Sequence, residues 1–167
     1  MLGTLYGTDN GRARAVIATK GLDTMSEHAF EAITAIAAPA EAVWAILTDA
    51  AGYPTWDSGV VSVDGKIAAG ETITVHAAVN PGRAFPVKVT EFVEPASMKW
   101  TGGMPLGLFV GERTFTLTPR ADGGTDFSMR EEYHGAFTAM IWSSIPDLQP
   151  SFTQFAEGLK ARAEKGA

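Results

Sequence analysis

Between Val60 and His134 the chain alternates apolar and polar residues with a period of two, most clearly where Ile73, Val75, Ala77 and Val79 interleave with Thr72, Thr74 and His76. Successive side chains of an extended chain point to opposite faces, so this pattern predicts a sheet with one buried face. Strand-like segments run over Phe30 to Ile36, Val60 to Lys66, Glu71 to Val79, Phe85 to Glu94, Ser97 to Thr101, Val110 to Thr118 and Thr125 to His134. From Val60 onward they are separated by turn-forming residues: Asp64-Gly65, Asn80-Pro81-Gly82, Glu94-Pro95, Gly102-Gly103 and Asp122-Gly123-Gly124. Connections this short join neighbouring strands, which predicts an antiparallel meander.

Helical periodicity occurs in two places. Ala38-Pro39 leads into Ala40 to Thr48, where Val43, Trp44 and Leu47 share one face. Pro39 suits the first turn, because its missing N–H would have no partner there. Gly52 and Pro54 interrupt the pattern, and a second short helical turn is expected over Tyr53 to Asp57, ending near Gly59. At the far end Leu148, Phe152, Phe155 and Leu159 recur at i, i+4, i+7 and i+11, an amphipathic helix stripe. Pro146 and Pro150 set its start or a kink near Asp147 to Ser151. Lys160, Arg162 and Lys165 suit the negative end of its dipole.

The expectation is an α+β domain over residues 29–165: a curved seven-stranded antiparallel sheet wrapped around a long C-terminal helix, with two short helices between strands 1 and 2. Sheet and helix each have one apolar face to hide, so they pack together, and a sheet curled around a single helix leaves a cavity between them. Residues 1–28 offer little to pack, with Met25 as a second methionine. They read as a flexible leader or, around Arg14 to Thr19, as an added edge strand.

Composition narrows the partners. At 167 residues, 46% hydrophobic and 19% charged, the chain fits one ordinary globular domain. A formal net charge of −6 argues against nucleic acid and anionic membrane surfaces, which are bound through clustered Lys and Arg. Without cysteine there is no disulfide, thiolate nucleophile or cysteine-ligated zinc. No run approaches the ~20 apolar residues of a membrane span, and the start lacks the features of a signal peptide. A cytoplasmic monomer or homodimer without membrane insertion is expected, with no cofactor and no metal; His28, His76 and His134 are too scattered to form a metal site.

The last hairpin can be put in register from its own pattern. If Phe115 faces Met129 and Leu117 faces Phe127 on the buried side, Arg113 falls opposite Glu131 on that same face. Two charges there must bond each other or reach trapped water, since desolvation costs several kcal/mol per ion. They either orient a polar group of a ligand or merely fix the strand register. Tyr133 shares their phase and offers a hydroxyl. The aromatic residues Trp56, Trp100, Phe115, Trp142, Phe152 and Phe155 are candidates to line the cavity, with Trp56 placed to guard an entrance. Val75, Val87, Val89, Met129 and Leu159 are the aliphatic candidates. Gly158 either makes room for a ligand or brings helix and sheet closer, the second being favoured; Gly102 to Gly107 is either a lid with apolar tips at Met104, Leu106 and Phe109 or a plain connection.

Taken in order, Ala38-Pro39-Ala40-Glu41-Ala42-Val43-Trp44, Asp49 to Asp57, Gly111-Glu112-Arg113-Thr114-Phe115-Thr116-Leu117-Thr118-Pro119, Gly123-Gly124-Thr125, Arg130-Glu131-Glu132-Tyr133-His134-Gly135 and Phe155 to Glu164 resemble the START and birch-allergen-like helix-grip superfamily, SRPBCC, in its polyketide cyclase/dehydrase-like branch. The resemblance covers about Phe30 to Glu164 and implies an internal hydrophobic cavity for a lipid, polyketide or aromatic metabolite. It carries no universal catalytic motif, so fold alone does not decide activity. The leading expectation is binding or carriage of a small, mainly hydrophobic ligand. The alternatives are a cyclase or dehydratase with Glu131 as base and Arg113 as oxyanion partner, and a protein-interaction or co-chaperone module.

Overall fold

The computed structural model describes residues 17–20 and 28–166. Eight strands lie within them: β1 (Ile17–Lys20), β2 (Ala29–Ile36), β3 (Val60–Asp64), β4 (Thr72–Ala77), β5 (Ala84–Val93), β6 (Ser97–Gly103), β7 (Val110–Pro119) and β8 (Thr125–His134). All neighbours pair antiparallel in one sheet of order β1-β2-β8-β7-β6-β5-β4-β3. The curled seven-strand sheet from β2 to β8 is the one that alternation predicts. At its β2 edge β1 adds a further strand, pairing Ile17 with Ile33 through Lys20 with Phe30. The remainder of the expected leader up to Glu27, including Arg14 to Val16, lies outside the described residues.

Three helices accompany the sheet: α1 (Ala40–Thr48), α2 (Thr138–Trp142) and α3 (Gln149–Glu164). In α1 the apolar face buries Ala40, Val43, Trp44 and Leu47. Pro39 stands one position earlier than expected, at the extended N-cap, with its carbonyl accepting from the N–H of Ala42 and Val43. The second helical turn spans Ala50–Thr55 instead of Tyr53 to Asp57. Its anchor is Tyr53, fully buried, whose hydroxyl donates to the Leu47 carbonyl at 2.8 Å. No helix of the described residues is long and apolar enough to cross a membrane.

The core lies between the concave sheet face and α3, which buries Phe152, Phe155, Ala156, Leu159 and Ala163. A fully buried Phe or Leu contributes roughly 1.5–3 kcal/mol relative to exposure, so this stripe is the main attachment of the helix. Polar bonds fix its axis: Gln149 Nε2 donates to the Glu31 carbonyl at 2.7 Å and Lys160 Nζ to the Ala35 carbonyl at 2.8 Å, both on β2. Gly158 serves close packing, but against a different partner from the one expected. A Cβ there would stand 2.0 Å from the Asp57 carbonyl oxygen, so the glycine admits the backbone leading into β3 and not the sheet.

The alternating pattern ends at His134, and nothing regular is expected before Asp147. The structure places α2 in this stretch, followed by a connection to α3 that begins, as the prolines require, at Gln149. A five-residue helix is barely more than one turn, too short for periodicity to reveal.

Candidate functional site

Side chains cross the concave face in rows. Val89, Trp100, Arg113, Glu131 and Phe30 follow one another across β5, β6, β7, β8 and β2. Two residues nearer the sheet end, Gly102, Gly111 and Tyr133 form the next row, with Val87 beside Gly102. Phe85 and Val75 make a third. Over these rows and under α3 lies a cavity of about 500 Å³, within the range of roughly 300–1,000 Å³ usual for small-molecule pockets. Val79, Asn80, Arg83, Met104, Ser144 and Pro146, among its exposed lining residues, mark its mouth.

The polar end is deep. Arg113 and Glu131 are cross-strand partners, in the register predicted with Phe115 opposite Met129 and Leu117 opposite Phe127. Arg113 donates from Nε at 2.8 Å and from Nη2 at 2.5 Å to a single oxygen, Oε2 of Glu131. Its guanidinium carbon also lies 4.9 Å above the Phe152 ring, a cation–π contact with α3. The side chains keep 23% and 15% of their surface, and because both line the cavity that surface faces its interior. Burial works against the Arg113 charge, yet the Glu131 carboxylate outweighs it and holds the guanidinium above its ordinary value. Tyr133, stacked on Phe109 with centroids 5.6 Å apart, is pushed far up, by burial first and then by Glu131. Its hydroxyl therefore remains protonated across the physiological range. The pocket floor thus offers phenolic and guanidinium donors beside a carboxylate oxygen, Oε1, that carries no bond from Arg113.

From the sheet, Val75, Val87, Trp100 and Met129 line the cavity, with Arg113, Glu131 and Tyr133 as its polar part. Phe152 and Phe155 are the contribution of α3. Five other candidates do not reach it. Val89, Phe115 and Leu159 are completely buried in the core and are not part of the lining. Trp56 does not guard an entrance: it is wedged between Tyr53 and Phe155, with centroids 5.5 and 5.2 Å away. Trp142 stacks on His28 at 4.6 Å and backs Phe30 and Tyr133 from outside the cavity. The remaining histidines have other partners, His76 at 3.0 Å from Asp64 and His134 at 3.9 Å from Glu112. Among the described residues no cluster of three or more His, Cys, Asp or Glu is arranged to hold a metal.

Part of the wall was not read from the sequence. Ile141 and Ile145, from α2 and the turn after it, close one side, and Leu148 reaches in just before α3. Arg83 and Asn80, in the β4–β5 turn, stand at the mouth. Of the supposed lid, Gly102, Gly103, Met104 and Phe109 line the cavity, while Leu106 is 95% exposed. The Phe137 N–H donates to the Leu108 carbonyl at 2.8 Å, clipping this loop to the start of α2 so that it forms wall.

A curled antiparallel sheet closed by one long helix defines a helix-grip α+β fold. Residues 27–164 match the family described as polyketide cyclase / dehydrase and lipid transport, and the chain belongs to it. No functionally curated protein matches the chain. Solved structures share its fold. A protein from Rhodobacter sphaeroides is similar at TM-score 0.68 and 17% identity, covering 92% of this chain and 100% of the other. One from Mesorhizobium loti has TM-score 0.65 and 19% identity, covering 84% and 99%. A START superfamily protein from Mycobacterium smegmatis has TM-score 0.61 and 16% identity, covering 84% and 99%. Family and fold together suggest binding of hydrophobic ligands.

Proposed function

We propose that this protein binds or carries one small, mainly apolar molecule, buried under α3 with a hydroxyl or carbonyl end against Arg113, Glu131 and Tyr133. The observation that carries this reading is a mainly apolar cavity of about 500 Å³ whose deep charges, among the described residues, are an already formed ion pair. Such a pair neutralises itself, so the site suits a neutral polar group that accepts from a donor and donates to Oε1. The cyclase or dehydratase reading is less favoured. Arg113 would have to stabilise an oxyanion while two of its N–H groups are bonded to a carboxylate.

Thermal melting against fatty acids, isoprenoids and aromatic polyketides tests the proposal. A ligand at a hundredfold its Kd adds about 2.7 kcal/mol, which for a domain of this size raises Tm by roughly 5–10 °C. Absence of any saturable shift across that panel removes the reading.

A further inference from the structure

We propose that the cavity takes an anionic amphiphile, its acid group held by Arg83 at the mouth and its apolar body running inward to the Arg113–Glu131 pair. This rests on the binding reading above and adds the charge and orientation of the ligand. Arg83 ends the β4–β5 turn, where its N–H donates to the Asn80 carbonyl at 3.1 Å. From there its guanidinium carbon lies 5.3 Å above the ring of Phe85, a cavity residue two positions further into β5. This cation–π contact holds the guanidinium at the rim, and among the described residues no ion pair engages its N–H groups, which can grip a carboxylate or phosphate in bidentate fashion.

Charge supports the same assignment. Among the described residues lining the cavity, the charged ones are Arg83, Arg113 and Glu131. The inner two cancel, and the ion pairs of the described residues leave Arg83 out. The lining is therefore cationic on a chain of formal net charge −6, and the positive group sits where an entering ligand first meets the protein. Arg83 and Val89, the β5 member of the Arg113 row, are six residues apart along the strand, roughly 20 Å at 3.3 Å per residue. Between them the β5 side chains facing the cavity are Phe85 and Val87. A polar group at each end with apolar walls between fits a chain carrying an acid at its outer terminus and a hydroxyl or carbonyl at its inner one.

Calorimetry with 14-hydroxymyristate, 14-hydroxytetradecyl phosphate and tetradecane-1,14-diol, which share an inner hydroxyl and differ at the outer end, tests this on the full chain. One or both anions should bind about tenfold more tightly than the diol, the gain expected of a charge-assisted bond. A lead for the carboxylate names a free carboxylic acid as the source, and a lead for the phosphate names a phosphorylated lipid. Arg83→Gln should erase the advantage while leaving the diol within about twofold, and Arg83→Lys should keep part of it. Equal binding of all three probes to the unaltered protein, or equal weakening of all three by Arg83→Gln, overturns the assignment of Arg83 while the cavity reading stands. If none of the three binds, the assignment of Arg83 falls, and the cavity reading stands or falls on the melting panel above.

Discussion

Gly102 and Gly111 are partners across β6 and β7 on the cavity wall, yet the space above each is of a different kind. A Cβ on Gly111 would meet Glu131 Oε1 and Tyr133 Cε1, both at 3.2 Å, which are ends of side chains able to shift. A Cβ on Gly102 would stand 2.9 Å from the Pro86 carbonyl oxygen, a backbone atom of the neighbouring strand. Gly111→Ala should therefore fold with stability within about 1 kcal/mol but bind ligand about tenfold less tightly, as one added methyl group does in a fitted pocket. Gly102→Ala should cost roughly 1–3 kcal/mol through overpacking. Urea midpoints and a ligand titration on both variants separate the two, and an equal loss of stability would show that Gly111 is structural as well.

Arg113 and Glu131 act as a unit, and removing one member should reveal it. Arg113→Met leaves the carboxylate without its partner, at a cost of roughly 3 kcal/mol for a buried pair. Adding Glu131→Gln removes the stranded charge, so the double variant should be more stable than Arg113→Met alone, a coupling visible in a double-mutant cycle of unfolding free energies. Strict additivity would mean that the two side chains reach bulk water and do not depend on each other.

The Arg113–Glu131 register was legible because two strands of alternating residues joined by Asp122-Gly123-Gly124 admit only one phase that buries Phe115, Leu117, Phe127 and Met129 together. Alternation reports which face a residue takes, and says nothing of how deep along the strand the open space lies. Val89 and Phe115 thus share the inward face with the cavity residues and still lie in solid core. The wall from Ile141 to Leu148 escaped notice for another reason: its position comes from long-range clips such as Phe137 N–H to Leu108, which leave no periodic trace. Arg83 likewise reads as an ordinary turn residue until the fold sets it over Phe85.

Helix propensity and packing oppose each other at Gly158. Alanine favours a helix interior over glycine by about 1 kcal/mol, but the Asp57 backbone occupies the place of the new methyl group. Nothing there can give except by moving the chain between Trp56 and β3, where Gln154 Nε2 also holds Asp57 Oδ1 at 2.6 Å. Gly158→Ala is therefore expected to lower stability by roughly 1–3 kcal/mol net. A rise in Tm would show that α3 moves away from this loop freely.

Glu164 ties the end of α3 to the β2–α1 junction, accepting from the Ala37 N–H at 2.8 Å and from Lys160 Nζ. Burial alone would raise its carboxyl, but the bonds from Lys160 and Ala37 hold it below the ordinary glutamate value. A group whose folded pKa is depressed stabilises the fold only while ionised. The contribution is thus complete above the unfolded value of about 4.3 and disappears as pH falls through the lower folded one. Glu164→Gln keeps an acceptor and removes the charge. It should cost up to about 1 kcal/mol at pH 7, since the group is largely solvated, and the gap from the unaltered protein should narrow steadily below about pH 4. Urea midpoints at pH 7 and pH 3 measure both ends; a gap that persists undiminished at pH 3 would assign the effect to lost packing instead of the carboxylate charge.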